Sequence, residues 1–465
     1  MRRLADLVMR SLARLLIRVF FRQVEVQGLD RLPSTAPVVL VANHINGLVD
    51  GLLLMAALGR YPRFLGKSTL FKIPPLWPFL KQAGVIPVYR VIDGAAGDHN
   101  ASAFATSRAI LARGGLVALF PEGISHDESS LQPLRTGAAR IALEADVDGG
   151  IENVVTVAVG LTYDAKARFR SRALVRLAEP QRVERWAAAY RSDPHDAVRQ
   201  VTDELAEQLA TVSPPYASWA QVERLARLAE VVVRPPEGGW PADVDLAEVA
   251  GVADCLARAE GENPPALLGL LGVFATYQRD LDLLGLTDAQ VTANYSRGRW
   301  RGALLYSLLK VLAALPPALL GIVVHLLPFQ IVKQLAKRPR NEGMKATVKL
   351  LGCFTGFVIV YAALGYGIGR WLGAWAGAAA AVASPIGGYV AVRLFERLKR
   401  IGGLLEGYHT VRERSPVLDT VYAHRTAVVE ATHQVLADAS SVGWDHPQPD
   451  GQSDPRQGHQ HPHHV

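Results

Sequence analysis

The chain has 465 residues, is 49% hydrophobic and carries a formal net charge of +7, with a mean hydropathy of +0.14. That length suits two to three domains, and that hydropathy is high for a wholly soluble protein. Cys255 and Cys353 stand far apart, which excludes a disulfide framework and fits a reducing compartment. The positive balance comes with no nucleic-acid-binding motif, so the expected partner is membrane lipid and not nucleic acid.

Residues 1–23 predict a basic amphipathic helix lying in a membrane interface. Arg10, Arg14, Arg18 and Arg22 recur every four residues, opposite Leu12, Leu15, Leu16, Val19 and Phe20. It does not read as a signal peptide: the arginines run through the apolar region, and Glu25 and Gln27 replace a small-residue cleavage site. A first helix packed on the core is the alternative reading.

Residues 24–215 alternate apolar runs with helical stretches. This is the pattern of an α/β domain with a mixed, mainly parallel sheet and flanking helices. Val38–Ala42 reads as a buried strand and Leu52–Ala57 as a helix. Between them lies Asn43-His44-Ile45-Asn46-Gly47-Leu48-Val49-Asp50. His44 and Asp50 are six apart, about 600° on an ideal helix, so they cannot share a helical face. A loop must fold one onto the other, and Gly47 supplies freedom for the bend. A carboxylate holding a neutral imidazole in one tautomer makes a general base for an alcohol. The bland reading is a His closing a strand and an Asp in a first helical turn.

Further blocks follow in order. Gly66-Lys67-Ser68-Thr69-Leu70-Phe71 precedes Gly84-Val85-Ile86-Pro87-Val88-Tyr89-Arg90. The apolar run Gly115–Leu119 leads into Phe120-Pro121-Glu122-Gly123-Ile124-Ser125-His126-Asp127, then Leu131-Gln132-Pro133-Leu134-Arg135-Thr136-Gly137. Val154–Tyr163 is another strand, followed by Arg168-Phe169-Arg170-Ser171-Arg172.

Asp196–Leu209 and Trp219–Val232 have helical periodicity. Residues 216–300 form a helical region broken at Pro235-Pro236-Glu237-Gly238-Gly239 and Glu262-Asn263-Pro264-Pro265, without a chemical motif. Residues 301–396 are membrane material. Leu350–Gly369 and Trp371–Val392 are two uncharged stretches of about twenty residues, each enough to span. Gly302–Val332 is split by Pro316-Pro317 into halves that each reach only about 20 Å of a core near 30 Å. A re-entrant hairpin is therefore expected over residues 302–332. Only that layout puts the basic clusters around Arg301, Lys337 and Arg397 on one, cytoplasmic, side. Residues 397–439 read as a helical tail, and 440–465, rich in Gly, Pro, Asp, Gln and His, as disordered.

The blocks, in this order over roughly residues 24–180, resemble the glycerolipid acyltransferase superfamily. Most of that superfamily has four residues between the His and the Asp; here there are five, with Asn46 two after the His. Together with Glu122-Gly123-Ile124-Ser125-His126, this looks like the fungal-type glycerol-3-phosphate/dihydroxyacetone-phosphate acyltransferases and their bacterial relatives. Two departures stand out. Ile124-Ser125 replace a usual Thr-Arg, removing an arginine often assigned to phosphate, and Ala158 replaces a common Pro. The resemblance implies a membrane-bound O-acyltransferase of phospholipid synthesis, its catalytic domain on the cytoplasmic face of the cell membrane. It would move a fatty acyl group from acyl-CoA or acyl-carrier protein to glycerol-3-phosphate or lysophosphatidic acid, with no cofactor and no metal. It also puts Asn46, Gly123, Ser125 and His126 in the substrate-binding set.

Such a transfer needs an activated hydroxyl, a positioned electrophile and a phosphate cradle. The acceptor alcohol is itself the nucleophile, so no enzyme Ser or Cys is required, and no Gly-x-Ser-x-Gly occurs. His44 would take the proton and Asp50 would orient it. Lys67, Arg90 and Arg135 are the first candidates for phosphate, with Arg168, Arg170 and Arg172 a second set. Glu122 is a candidate for the acceptor hydroxyls, or else a turn carboxylate tying down backbone amides. Two rivals remain at this stage: a catalytically silent phospholipid-binding membrane scaffold, and a lipid hydrolase in which His44 activates water.

Overall fold

The computed structural model describes residues 2–73, 76–89, 100–213, 216–235, 244–262, 264–293, 297–339, 342–413 and 415–440. The chain divides into two compact units. One holds Met1–Ser218 with Val332–Phe354, the other Trp219–Ile331 with the residues from Thr355 onward.

The first unit is built on one sheet. Its strands are β1 (Phe21–Gln27), β2 (Val38–Ala42), β3 (Pro62–Lys67), β4 (Ile86–Val88), β5 (Leu116–Leu119), β6 (Val155–Tyr163), β7 (Ser171–Leu177) and the short β8 (Gln181–Arg182). The order is β1-β7-β6-β2-β5-β3-β4, with β8 beside β6. β2 lies parallel to β5 and β6, and β3 parallel to β5 and β4. β7 runs antiparallel to β6. The sheet is thus mixed and mainly parallel, as expected. β2 is apolar at every position because both its faces are covered. Val38, Leu40 and Ala42 join the core that holds α1 (Arg2–Phe20) and α2 (Leu48–Ala57). Val39 and Val41 point the other way, into the core built with α5 (Gly137–Leu143) and α7 (Pro194–Val212). At Gly160 a Cβ would lie 1.9 Å from the Val212 carbonyl oxygen, so only glycine lets α7 approach β6 this closely.

Five strands, β2 to β6, run in one direction, so the segments after Ala42, Lys67, Val88, Leu119 and Tyr163 leave the sheet at the same edge. That is where open α/β sheets place ligands.

The first helix packs on the core over one face, the alternative that its sequence allowed. Met9, Ala13, Leu16, Ile17 and Phe20 are buried in the core, while Arg10 and Arg14 donate to the Gly59 and Ala56 carbonyl oxygens. Two of the four stripe arginines therefore serve the carbonyl end of α2, where the helix dipole favours cations. The helix is held by the core over one face; its outward face carries Leu4, Leu7, Val8, Leu15 and Val19.

The second unit is helical. It contains α8 (Trp219–Val233), α9 (Leu246–Glu262), α10 (Pro264–Leu284), α11 (Asp288–Val291) and α15 (Ser415–Ser440). Its polar centre is Asp288, which accepts from Arg234 Nε at 2.8 Å, Arg425 Nε at 2.9 Å and the Tyr277 hydroxyl at 2.8 Å.

Among the described residues, three helices are long and apolar enough to cross a membrane. They belong to α12 (Arg297–Leu335), α13 (Glu342–Leu372) and α14 (Ala374–Glu413). The expected hairpin over 302–332 is corrected: α12 is one helix with Pro316, Pro317 and Pro328 inside it. The reason is the cost of the alternative. Each interior proline removes one hydrogen bond and costs about 3 kcal/mol. A turn in hydrocarbon would strand the four end groups of each half-helix, at several kcal/mol apiece. Between α13 and α14 the chain breaks at Gly373, with φ +91. Pro385 sits inside α14, which runs on to Glu413, so part of the expected 397–439 tail continues this helix. Within the second unit, His325 joins Gly321 O and the Tyr361 hydroxyl. The 440–465 tail lies almost wholly outside the described residues.

Candidate active site

The edge after β2 is shaped by Asn43. Its side-chain nitrogen donates to Leu161 O at 3.0 Å and its oxygen accepts from Leu161 N at 2.7 Å. This pair of bonds extends the β2–β6 ladder by one side chain and fixes where the loop begins. Gly47 then turns the chain with φ +58 and ψ −130, a region open in practice only to glycine. A Cβ there would meet Thr347 Oγ1 at 3.1 Å, so the turn is also a close approach.

The turn brings Asp50 back to His44. Asp50 Oδ2 lies 2.9 Å from His44 Nδ1 and accepts from Asn46 N at 2.8 Å. Its Oδ1 accepts from the Tyr163 hydroxyl at 2.5 Å. The Asp50 side chain is fully buried and that of His44 is 19% exposed. Three donors converge on this buried carboxylate, which is how a buried charge is satisfied. Because the carboxylate accepts, Nδ1 carries the proton, and Nε2 keeps its lone pair. The His44 ring stacks on Phe120 with centroids 4.0 Å apart and planes at 13°, and Phe120 stacks in turn on Phe64 at 6.2 Å. The imidazole is thus fixed in position by an aromatic wall and in tautomer by Asp50.

Glu122 braces the same loop from β5. Its Oε1 accepts from His44 N at 2.7 Å; its Oε2 accepts from Gln132 N at 2.9 Å and pairs with His126 Nε2. The side chain is completely buried. It acts as the turn carboxylate, and the expectation that it receives acceptor hydroxyls is corrected, since its oxygens are occupied by protein donors. Asn46 is completely buried, with Nδ2 donating to Lys166 O at 2.9 Å and Oδ1 without a hydrogen-bond partner among the described residues. His126, only 8% exposed, is a partner of Glu122 and not a surface ligand. Ser125 Oγ accepts from Gly47 N at 3.1 Å, tying the third block to the first.

Of the cations, Lys67 is half-buried at the end of β3, on the same edge. Arg135 is exposed and its backbone N donates to Pro121 O at 2.7 Å. Its side chain runs beside Gly123, where a Cβ would sit 3.3 Å from Arg135 Cγ. Arg90 lies outside the described residues. The 168–172 trio divides: Arg172 is buried against Asp164, and Arg170, in a left-handed conformation at φ 62, donates to the Arg18 and Phe21 carbonyl oxygens. Only Arg168 of the three is exposed, at 68%. The first two hold the fold and are not a phosphate set.

Sequence reasoning missed Tyr163, Phe120 and Asn43. A tyrosine closing an otherwise apolar strand was the available signal, since a buried phenol needs a partner. Burial, and after it the Asp50 charge, pushes the Tyr163 hydroxyl well above its ordinary range, so it remains a donor.

Comparison with known proteins places this geometry. Residues 23–160 match the acyltransferase family model. A glycerol-3-phosphate O-acyltransferase of Saccharomyces cerevisiae is 29% identical over 248 residues, covering 51% of this chain and 32% of the relative. A chloroplastic 1-acyl-sn-glycerol-3-phosphate acyltransferase of Brassica napus is 30% identical over 128 residues, covering 27% of this chain and 36% of the relative. Residues 23–160 are thus similar to acyltransferase domains, including those of glycerolipid enzymes. The chain spans about a third of the length of each of these two relatives. The solved 1-acyl-sn-glycerophosphate acyltransferase of Thermotoga maritima aligns with a TM-score of 0.34 at 16% identity, over 47% of this chain and 83% of that one. Within the family domain the match ends at the residue whose missing side chain admits α7, Gly160. Tyr163 and the segment after it lie just beyond.

Proposed function

We propose that this acyltransferase moves a fatty acyl group from an acyl thioester to the hydroxyl of glycerol-3-phosphate or lysophosphatidic acid, with His44 as general base. One observation carries the reading: His44 Nδ1 is committed to buried Asp50 at 2.9 Å, which leaves Nε2 as the basic atom. In the proposed step Nε2 takes the acceptor's hydroxyl proton as its oxygen attacks the thioester carbonyl. The tetrahedral intermediate collapses with loss of the C–S bond, and the leaving thiolate recovers the proton from the imidazolium. The ester and the free thiol are the products, and the enzyme returns to its starting state. Asp50 stabilises the imidazolium while it exists.

Arg135 and Lys67, at the edge of the same sheet, supply positive charge for the acceptor's phosphate. With Ser125 where the family's arginine is usual, that load falls on cations outside the third block. The three long apolar helices make this a membrane protein. A lysophosphatidic acceptor would come from the bilayer, and the acyl thioester, with its acyl chain, from the cytoplasmic side of the cell membrane. The relatives of known substrate include both a glycerol-3-phosphate and a 1-acylglycerol-3-phosphate enzyme.

An acceptor panel assayed with one acyl-CoA tests this. Thiol release that depends on glycerol-3-phosphate or lysophosphatidic acid supports the reading. Equal release without acceptor would make the protein a thioester hydrolase.

A further inference from the structure

We propose that Tyr163 is the third member of the His44–Asp50 device: a positioning residue whose phenol fixes the Asp50 carboxylate. The proposal rests on the reading of His44 as base. Asp50 Oδ2 is shared between His44 Nδ1 and Asn46 N, both on its own loop. The 2.5 Å bond from Tyr163 to Oδ1 is the tie from outside that loop, anchored on strand β6. Tyr163 is 6% exposed, and its ring stacks on Phe21 with centroids 5.6 Å apart and planes at 22°. It is therefore a rigid anchor on the sheet.

The loop has a specific need for it. Five residues separate His44 and Asp50, and the turn passes through a conformation that Gly47 alone tolerates. A carboxylate on such a loop is free to rotate about its terminal torsion, which is broad and two-fold for Asp. Rotation would move Oδ2 off Nδ1. Tyr163 prevents this by holding the other oxygen. Asn46 completes the lock from the loop side: its backbone N bonds Asp50 and its side-chain nitrogen bonds Lys166 O. The charged or titratable groups around this lock are His44, Glu122 and His126, with the Lys166–Asp127 pair beside Asn46.

Tyr163→Phe keeps shape and removes the donor. Turnover should fall roughly ten- to a hundredfold, the worth of a charge-assisted hydrogen bond, while the KM of donor and acceptor stay within about twofold. A double-variant cycle gives the readout that a merely structural role would not move. In an Asp50→Asn background, Tyr163→Phe should cost nothing further. Multiplying losses, unchanged turnover, or a rise in KM alone would overturn the proposal. If the Phe variant does not fold, 3-fluorotyrosine placed at 163 changes donor strength at nearly constant volume. Its kcat should differ from wild type with Asp50 present and match the parent in Asp50→Asn; no change in either background overturns the proposal. His44→Ala run in parallel separates the two ideas. If it is inactive and the 163 variants are normal, only the role of Tyr163 falls; if it is active, the base reading falls as well.

Discussion

Two buried aspartates in this molecule share a design and differ in one partner. Asp288 in the helical unit accepts from Tyr277, Arg234 and Arg425. Asp50 in the α/β unit accepts from Tyr163, the Asn46 amide and His44. Around Asp288 the cationic partners are guanidiniums, which keep their charge under all working conditions, and both are largely buried. That is a lock. Around Asp50 the basic partner is an imidazole, and it is partly exposed. The same carboxylate chemistry gives a fixed joint in one case and, in the proposed function, orients a base in the other.

The sharpest way to break this comparison is to remove the two cationic partners in turn. His44→Ala should lower transfer by about 10²–10⁴-fold, measured as thiol release per folded molecule so that any loss of stability is separated out. Arg425→Ala should do the reverse. It costs roughly 3–5 kcal/mol by leaving Asp288 underpaired, read as a fall in the chemical-denaturation midpoint in detergent, with turnover per folded molecule kept. If Arg425→Ala abolished turnover in folded protein, the lock would be part of the active machinery.

Gly47→Ala tests the turn that joins His44 to Asp50. A side chain meets both a positive φ and Thr347 Oγ1 at 3.1 Å, so strain of about 1–3 kcal/mol is expected. Activity should fall more than stability, because the strain is relieved by moving the loop. Wild-type kinetics in Gly47→Ala would mean that the loop conformation is not needed.

Arg135→Ala concerns the acceptor. Loss of one charged hydrogen bond is worth roughly 1.5–3 kcal/mol, so the KM for the phosphorylated acceptor should rise about tenfold or more while that for acyl-CoA holds. An unchanged acceptor KM moves the phosphate to Lys67 or Arg168.

The smallest effect is on alkaline stability. Tyr163 has its hydroxyl raised by burial, and Tyr61 is pushed up to about 12 by burial first. Groups that ionise later in the folded state contribute stability that is complete below pH about 10 and is lost as pH rises toward the folded value. Stability should therefore decline above pH 10, and Tyr163→Phe should flatten that decline. An identical slope in the variant would show that Tyr163 ionises normally.

Much of this was legible in the chain, and the failures have physical causes. The apolar run Val38–Ala42, followed by a His and an Asp that no helix could bring together, pointed to the strand, the loop and the pair. The α/β class followed from the alternation of runs. For Glu122 the chain left two roles open, because a carboxylate beside a base looks the same in sequence whether it faces substrate or holds backbone; burial decides, and burial is tertiary. Tyr163 was invisible for the same reason, being 113 positions from Asp50 in the chain. Arg10 and Arg14 followed helical spacing, yet a neighbouring helix's carbonyl end drew them in. The short halves either side of Pro316-Pro317 and the basic clusters suggested a hairpin, whereas an apolar setting favours keeping the backbone bonded.

The most direct measurement is free-thiol release from acyl-CoA, with and without glycerol-3-phosphate or lysophosphatidic acid, by wild type and His44→Ala in matched amounts of folded, membrane-inserted protein. The account predicts acceptor-dependent release by wild type and almost none by the variant. Acceptor-dependent release by His44→Ala within a few-fold of wild type would contradict it.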